Sequence, residues 1–95
     1  MDTLPKSQEL VEPVLRVLVR EGGEVANAQL EMLVVELLSI PKLLATAIHS
    51  GSRTELAYRL AWARTKAKTS GLIASPRREF WTITEKGHLF LAKNK

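Results

Sequence analysis

The 95-residue chain has no cysteine, which excludes disulfides, thiolate metal sites and a cysteine nucleophile and suits a reducing compartment. Its one aspartate, Asp2, leaves any carboxylate cluster to glutamates, and these are scattered over the length of the chain. His49 and His88 stand far apart with no cysteine or aspartate beside them, so no metal and no cofactor is expected. No acid, base and nucleophile converge, which argues against an enzyme. The most apolar stretch, 30–48, is broken by Glu31, Glu36, Pro41 and Lys42 and cannot supply the ~20 apolar residues of a membrane span. The opening MDTLPKSQ lacks the apolar segment of a secretory signal. The expectation is a cytoplasmic chain with no membrane partner, folded as one domain over 1–95, since domains run ~50 to 200 residues.

Charge is abundant but unevenly placed. Residues 1–50 carry four bases and seven acids, a net of −3, whereas residues 51–95 carry ten bases and three acids, a net of +7. A field of one sign on one side attracts and orients a polyanion; the plain alternative is a solvated face that keeps the domain in solution.

The order of elements sharpens that contrast. Leu10, Val11, Val14, Leu15 and Leu18 recur at helical spacing over 7–21 and stop at Gly22-Gly23. Pro13 predicts either a regular helix beginning near Glu12 or a separate first turn feeding it at an angle. A short extended piece at 24–26 precedes a second helix capped by Asn27, with Leu30, Leu33, Val34, Leu37 and Leu38 as its buried stripe. Pro41 opens a further turn, and 46–51 carries no readable pattern. Ser52 and Glu55 have the spacing of a capping box for a third helix ending at Gly71. Two short strands, 72–75 and 80–83, flank the turn Pro76-Arg77-Arg78-Glu79, and Thr84 caps a last helix that buries Leu89, Phe90 and Leu91. The fold class expected is mainly α with a small β-hairpin: a winged helix-turn-helix with a three-helix core, a two- to three-stranded wing and a C-terminal helix.

In such a fold the third helix reads DNA. Leu56, Leu60, Ala63 and Ala67 share one arc and face the core. Beyond that arc, Arg53, Thr54, Ala57 and Tyr58 are candidates for base edges, and Arg64 and Lys68 for phosphates, because cations, hydroxyls and small residues together suit a groove. Arg59 has a competing use in pairing with Glu55 four residues earlier. Arg77 and Arg78 concentrate like charge at the wing tip, where a phosphate row neutralises it; guarding a strand edge is the alternative. Trp62, Phe80, Trp81 and Phe90 are expected in the core, with Trp62 reaching under the hairpin, rather than stacked on a flipped base.

These residues resemble the N-terminal domain of Mrr-type restriction endonucleases. The likeness runs through Leu4-Pro5, 9–15, Gly22-Gly23, Ser50-Gly51, Arg53-Thr54, Arg59, Trp62-Ala63-Arg64-Thr65, Gly71-Leu72-Ile73, Ser75-Pro76-Arg77-Arg78, Trp81 and 83–87. It departs at Lys66-Ala67, where a Tyr-Leu pair is more usual, and at Glu79, where glycine is. The resemblance implies a winged helix that binds double-stranded DNA and senses the target of a host-defence enzyme cutting modified, typically methylated, DNA. The cleaving domain of that family resembles a PD-(D/E)xK nuclease with an essential aspartate, and Asp2 is the only aspartate here. The resemblance thus implies a binding module, either tethered to a nuclease domain through a linker starting at 93–95 or standing alone. Two other functions compete: a free-standing transcriptional regulator, and a protein-interaction winged helix whose basic face contacts an acidic partner or whose C-terminal helix pairs with a second copy as a homodimer.

Overall fold

The structure, a computed structural model, describes residues 3–93. It is mainly helical, with a small antiparallel sheet and a separate two-stranded ribbon. Helix α1 (Ser7–Glu21) forms the centre, burying Leu10, Val14, Leu15, Val17 and Leu18. The Lys6 backbone N–H donates to Glu9 Oε1 at 2.8 Å, so the helix start is capped from within its own first turn. The helix runs unbroken through Pro13, against the expectation of a start near Glu12 or of a separate turn. Proline removes one backbone donor, but Leu10 and Val11 before it and Val14 and Leu15 after it are buried together, which holds the turns in line. Gly22, at φ 71°, ends the helix and donates its N–H to the Leu18 carbonyl.

Strand β1 (Val25–Ala26) leads into α2 (Asn27–Leu38). The capping residue of α2 is Ala26, not Asn27. Asn27 is instead bound to the hairpin: its N–H donates to the Glu79 carbonyl at 3.0 Å, and its Oδ1 accepts the Trp81 indole N–H at 2.5 Å. One turn of helix, α3 (Lys42–Ala45), follows Pro41 as expected. The unreadable stretch after it proves to be β2 (Ile48–Ser50), which pairs antiparallel with β3 (Arg53–Thr54).

Helix α4 (Glu55–Thr69) begins later than a Ser52 cap requires. Thr54 is the cap, its Oγ1 accepting the Ala57 N–H at 3.1 Å. Pairing of Ile48 with Thr54 and of Ser50 with Arg53 draws this segment into a strand, which moves the helix start past Ser52. The helix stops before Gly71, at φ 78°, and the chain returns as β4 (Ile73–Ala74) and β5 (Phe80–Ile83). The sheet order is β1-β5-β4, with Val25 opposite Trp81 and Ile73 opposite Ile83. Thr84 caps α5 (Glu85–Lys93), accepting the Gly87 N–H at 3.1 Å and donating to the Gly71 carbonyl at 2.6 Å. Phe90 and Leu91 pack against the core, but Leu89, expected inside, is 60% exposed.

Among the described residues every buried side chain is apolar, and no helix is long and apolar enough to cross a membrane.

Candidate nucleic-acid interface

Leu56, Leu60, Ala63 and Ala67 are all buried, as their common arc predicts, so the opposite side of α4 is turned outward. Of the four residues expected to meet base edges, two precede the helix: Arg53 lies on β3, and Thr54 is the cap. Ala57 and Tyr58 occupy the first turn, both half-buried. The exposed Arg53 guanidinium lies 5.6 Å from the centroid of the Tyr58 ring, and Tyr58 stacks on His49 at 3.9 Å with an interplanar angle of 13°. His49 Nδ1 meets Glu55 Oε1 at 2.7 Å, and Glu55 Oε2 accepts Arg59 Nε at 2.7 Å. Arg59 Nη1 then donates to the carbonyls of Leu4 and Pro5 at 2.9 and 3.1 Å. The competing use of Arg59 is therefore the one observed. A continuous chain of contacts runs from Arg53 across the start of α4 to the N-terminal segment and fixes the ribbon against the helix. The bonds from Arg59 and then His49 hold the Glu55 carboxyl below its ordinary value of 4.5.

Farther along α4, Lys68 is fully exposed and Arg64 half-buried. The Arg64 guanidinium lies 5.9 Å from the Trp81 ring centroid. Burial lowers its pKa, the Glu31 carboxylate opposes that shift, and Arg53 adds to it. The charge of Arg53 thus reaches Arg64, which places the strand cation and the helix cation on neighbouring ground.

The hairpin turn separates its two arginines. Arg77 Nε is paired with Glu24 Oε1 at 2.7 Å, and its guanidinium lies 3.8 Å from the Phe80 ring centroid, so its charge is already partly answered. Arg78 is exposed and makes no side-chain hydrogen bond or ion pair among the described residues. Ser75 Oγ donates towards the carbonyls of Arg77 and Phe80, tightening the turn, and Glu79 takes a left-handed φ of 65°.

The aromatic expectations divide. Trp81 packs against the core, whereas Trp62 is 55% exposed and does not lie under the hairpin. It borders an open concavity with Arg53, Tyr58, Ala61 and Thr65, and a second one with Ser7, Thr65, Lys66 and Thr69. Sequence held a signal for this: Trp62 falls outside the arc of Leu56, Leu60, Ala63 and Ala67 and one turn after Tyr58. Among the described residues no group of three His, Cys, Asp or Glu side chains could hold a metal ion; Asp2 and 94–95, including most of the expected linker, lie outside them.

Comparison with known proteins gives one finding. A family model described as the Mrr N-terminal domain matches residues 8–93, nearly the whole chain. No curated protein and no solved structure matches.

Proposed function

This chain belongs to the Mrr N-terminal domain family, and from that premise we propose that it is a single winged-helix domain that binds duplex DNA. In this reading α1, α2 and α4 are the three-helix core, β1-β5-β4 the sheet, α4 the reading helix and the β4–β5 hairpin the wing. The observation that carries it is the split of α4 into a wholly apolar buried side and an outward side on the basic half of the chain. Arg53, Ala57 and Tyr58 meet base edges, with Thr54 adding a hydroxyl that also caps the helix. Arg64, Lys68, Arg77 and Arg78 contact phosphates. The partner is modified, typically methylated, DNA, and the module steers a tethered nuclease domain in the cytoplasm.

The test is titration of labelled duplexes, methylated and unmethylated, at several salt concentrations. Neutralisation of about one phosphate each by Arg53, Arg64, Lys68, Arg77 and Arg78 gives a slope of log K on log salt near −4 to −5. Joint replacement of Arg77 and Arg78 by alanine weakens all duplexes alike and reduces the slope by up to about two, whereas Arg53→Ala or Thr54→Ala costs ~1 to 3 kcal/mol mainly on a preferred sequence. Affinity that does not change with salt refutes the reading.

A further inference from the structure

We propose that Trp62 is a stacking platform for a single nucleobase drawn out of the duplex, received in the concavity bordered by Arg53, Tyr58, Ala61, Trp62 and Thr65. The proposal rests on the duplex-binding reading above and assigns a ligand to one part of that surface.

The two tryptophans of this chain are held very differently. Trp81 lies against the core with its indole N–H satisfied by Asn27. Trp62 has no side-chain hydrogen bond among the described residues and leaves 55% of its surface to water. A large apolar ring so placed, on the half of the chain with a net charge of +7, is a surface that a polyanion carrying flat rings can cover.

The surroundings suit one base. The concavity is open and shallow, about 350 Å³, with the Trp62 ring as the one large exposed aromatic face along it. Ala61 keeps it open where a larger side chain would fill it. Tyr58 forms a fixed wall, because its ring is already stacked on His49 at 3.9 Å. Arg53 borders the same concavity and Lys66 a neighbouring one that Trp62 also lines, so both supply positive charge near the ring. The Thr65 hydroxyl donates to the Ala61 carbonyl at 3.0 Å, so its lone pairs remain to accept from an exocyclic amine. An indole flanked by cations and offering little directional hydrogen bonding holds bases by their faces and is tolerant of which base it takes. A second copy of the chain fits less well, since a two-fold contact over this site gathers the cations Arg53 and Lys66 of both copies into one patch with no acid among its lining residues.

The test compares three duplexes of one sequence: fully paired, with one mismatch, and with 2-aminopurine as the mismatched base. The whole chain should bind the mismatched duplex about 5- to 150-fold more tightly than the paired one, the range one aromatic stack supplies. Binding should change 2-aminopurine fluorescence. Trp62→Ala should abolish the preference and the fluorescence change while leaving paired-duplex affinity and its salt slope within about twofold, and Trp62→Phe should restore part of both. Equal affinity for paired and mismatched duplex, or a preference that survives Trp62→Ala, overturns the proposal while salt-dependent duplex binding stands. Dimerisation without DNA that Trp62→Ala abolishes assigns the ring to a second copy and overturns it too. Failure to bind any duplex refutes the function above and this site with it.

Discussion

Glu79 shows how one residue can be retained against its backbone preference. At φ 65° its Cβ is crowded against the main chain, a conformation glycine adopts freely, and it adds an acid next in sequence to Arg77 and Arg78. Glu79→Gly is expected to stabilise the fold by ~0.5 to 1 kcal/mol, the relief of strain exceeding glycine's larger unfolded-state entropy, and to tighten duplex binding. Urea unfolding and the titration above measure the two effects separately. Glu55 offers a second residue-scale test. Its folded pKa lies below 4.5 because Arg59 and His49 bind the carboxylate, so its contribution is present above that value and is lost as pH falls through the folded value. The stability difference between the wild type and Glu55→Gln should therefore shrink as denaturation is followed from about pH 6 to below 4. A difference that grows on acidification would contradict the network around Glu55.

At the scale of elements, the last helix meets the hairpin through a glycine. A Cβ placed on Gly87 would overlap the Leu72 carbonyl oxygen and come within 2.6 Å of Ile83 Cγ1, so α5 lies against the ends of β4 and β5 only because that position is bare. Gly87→Ala should cost ~1 to 3 kcal/mol despite alanine's better helix propensity, read as a lower urea midpoint. The glycine stops, the arc of α4 and the strands around Pro76 were all legible in sequence, because each leaves a periodic or conformational mark. The β2–β3 ribbon was not. Its strands are two and three residues long, and β2 buries nothing, so there is no alternation to read. Ser52 and Thr54 are chemically equivalent caps, and only the pairing of Thr54 with Ile48 decides between them. In the candidate site the same limit applies to charge. Nothing local to Arg77 announces Glu24, 53 residues away, or tells it apart from Arg78. Residue type points Trp62 to the core, whereas its position on the helix, outside the buried arc, matches its 55% exposure.

For the molecule as a whole, the first 50 residues carry a net charge of −3 and the remaining 45 one of +7. Metal-assisted phosphodiester cleavage needs carboxylates converging on an ion, and the acids of the basic half are Glu55, bound to Arg59 and His49, and Glu79 and Glu85 on a turn and a helix start. The purified chain is expected to leave supercoiled plasmid uncut with Mg²⁺ or Mn²⁺, methylated or not, as judged on an agarose gel. Nicking that disappears with Glu79→Ala or Glu85→Ala would assign it a nuclease activity.

The apolar interior has a consequence for how such a module changes. Since no buried polar side chain ties core to surface among the described residues, those outward positions of α4 and the hairpin tip that make no contact, unlike Glu55, Arg59 and Arg77, can be rewritten with little effect on folding. Lys68 and Arg78 in particular answer only to whatever the surface meets. Exchanges confined to such positions can therefore alter the chemistry of the exterior at almost constant stability, without a new fold.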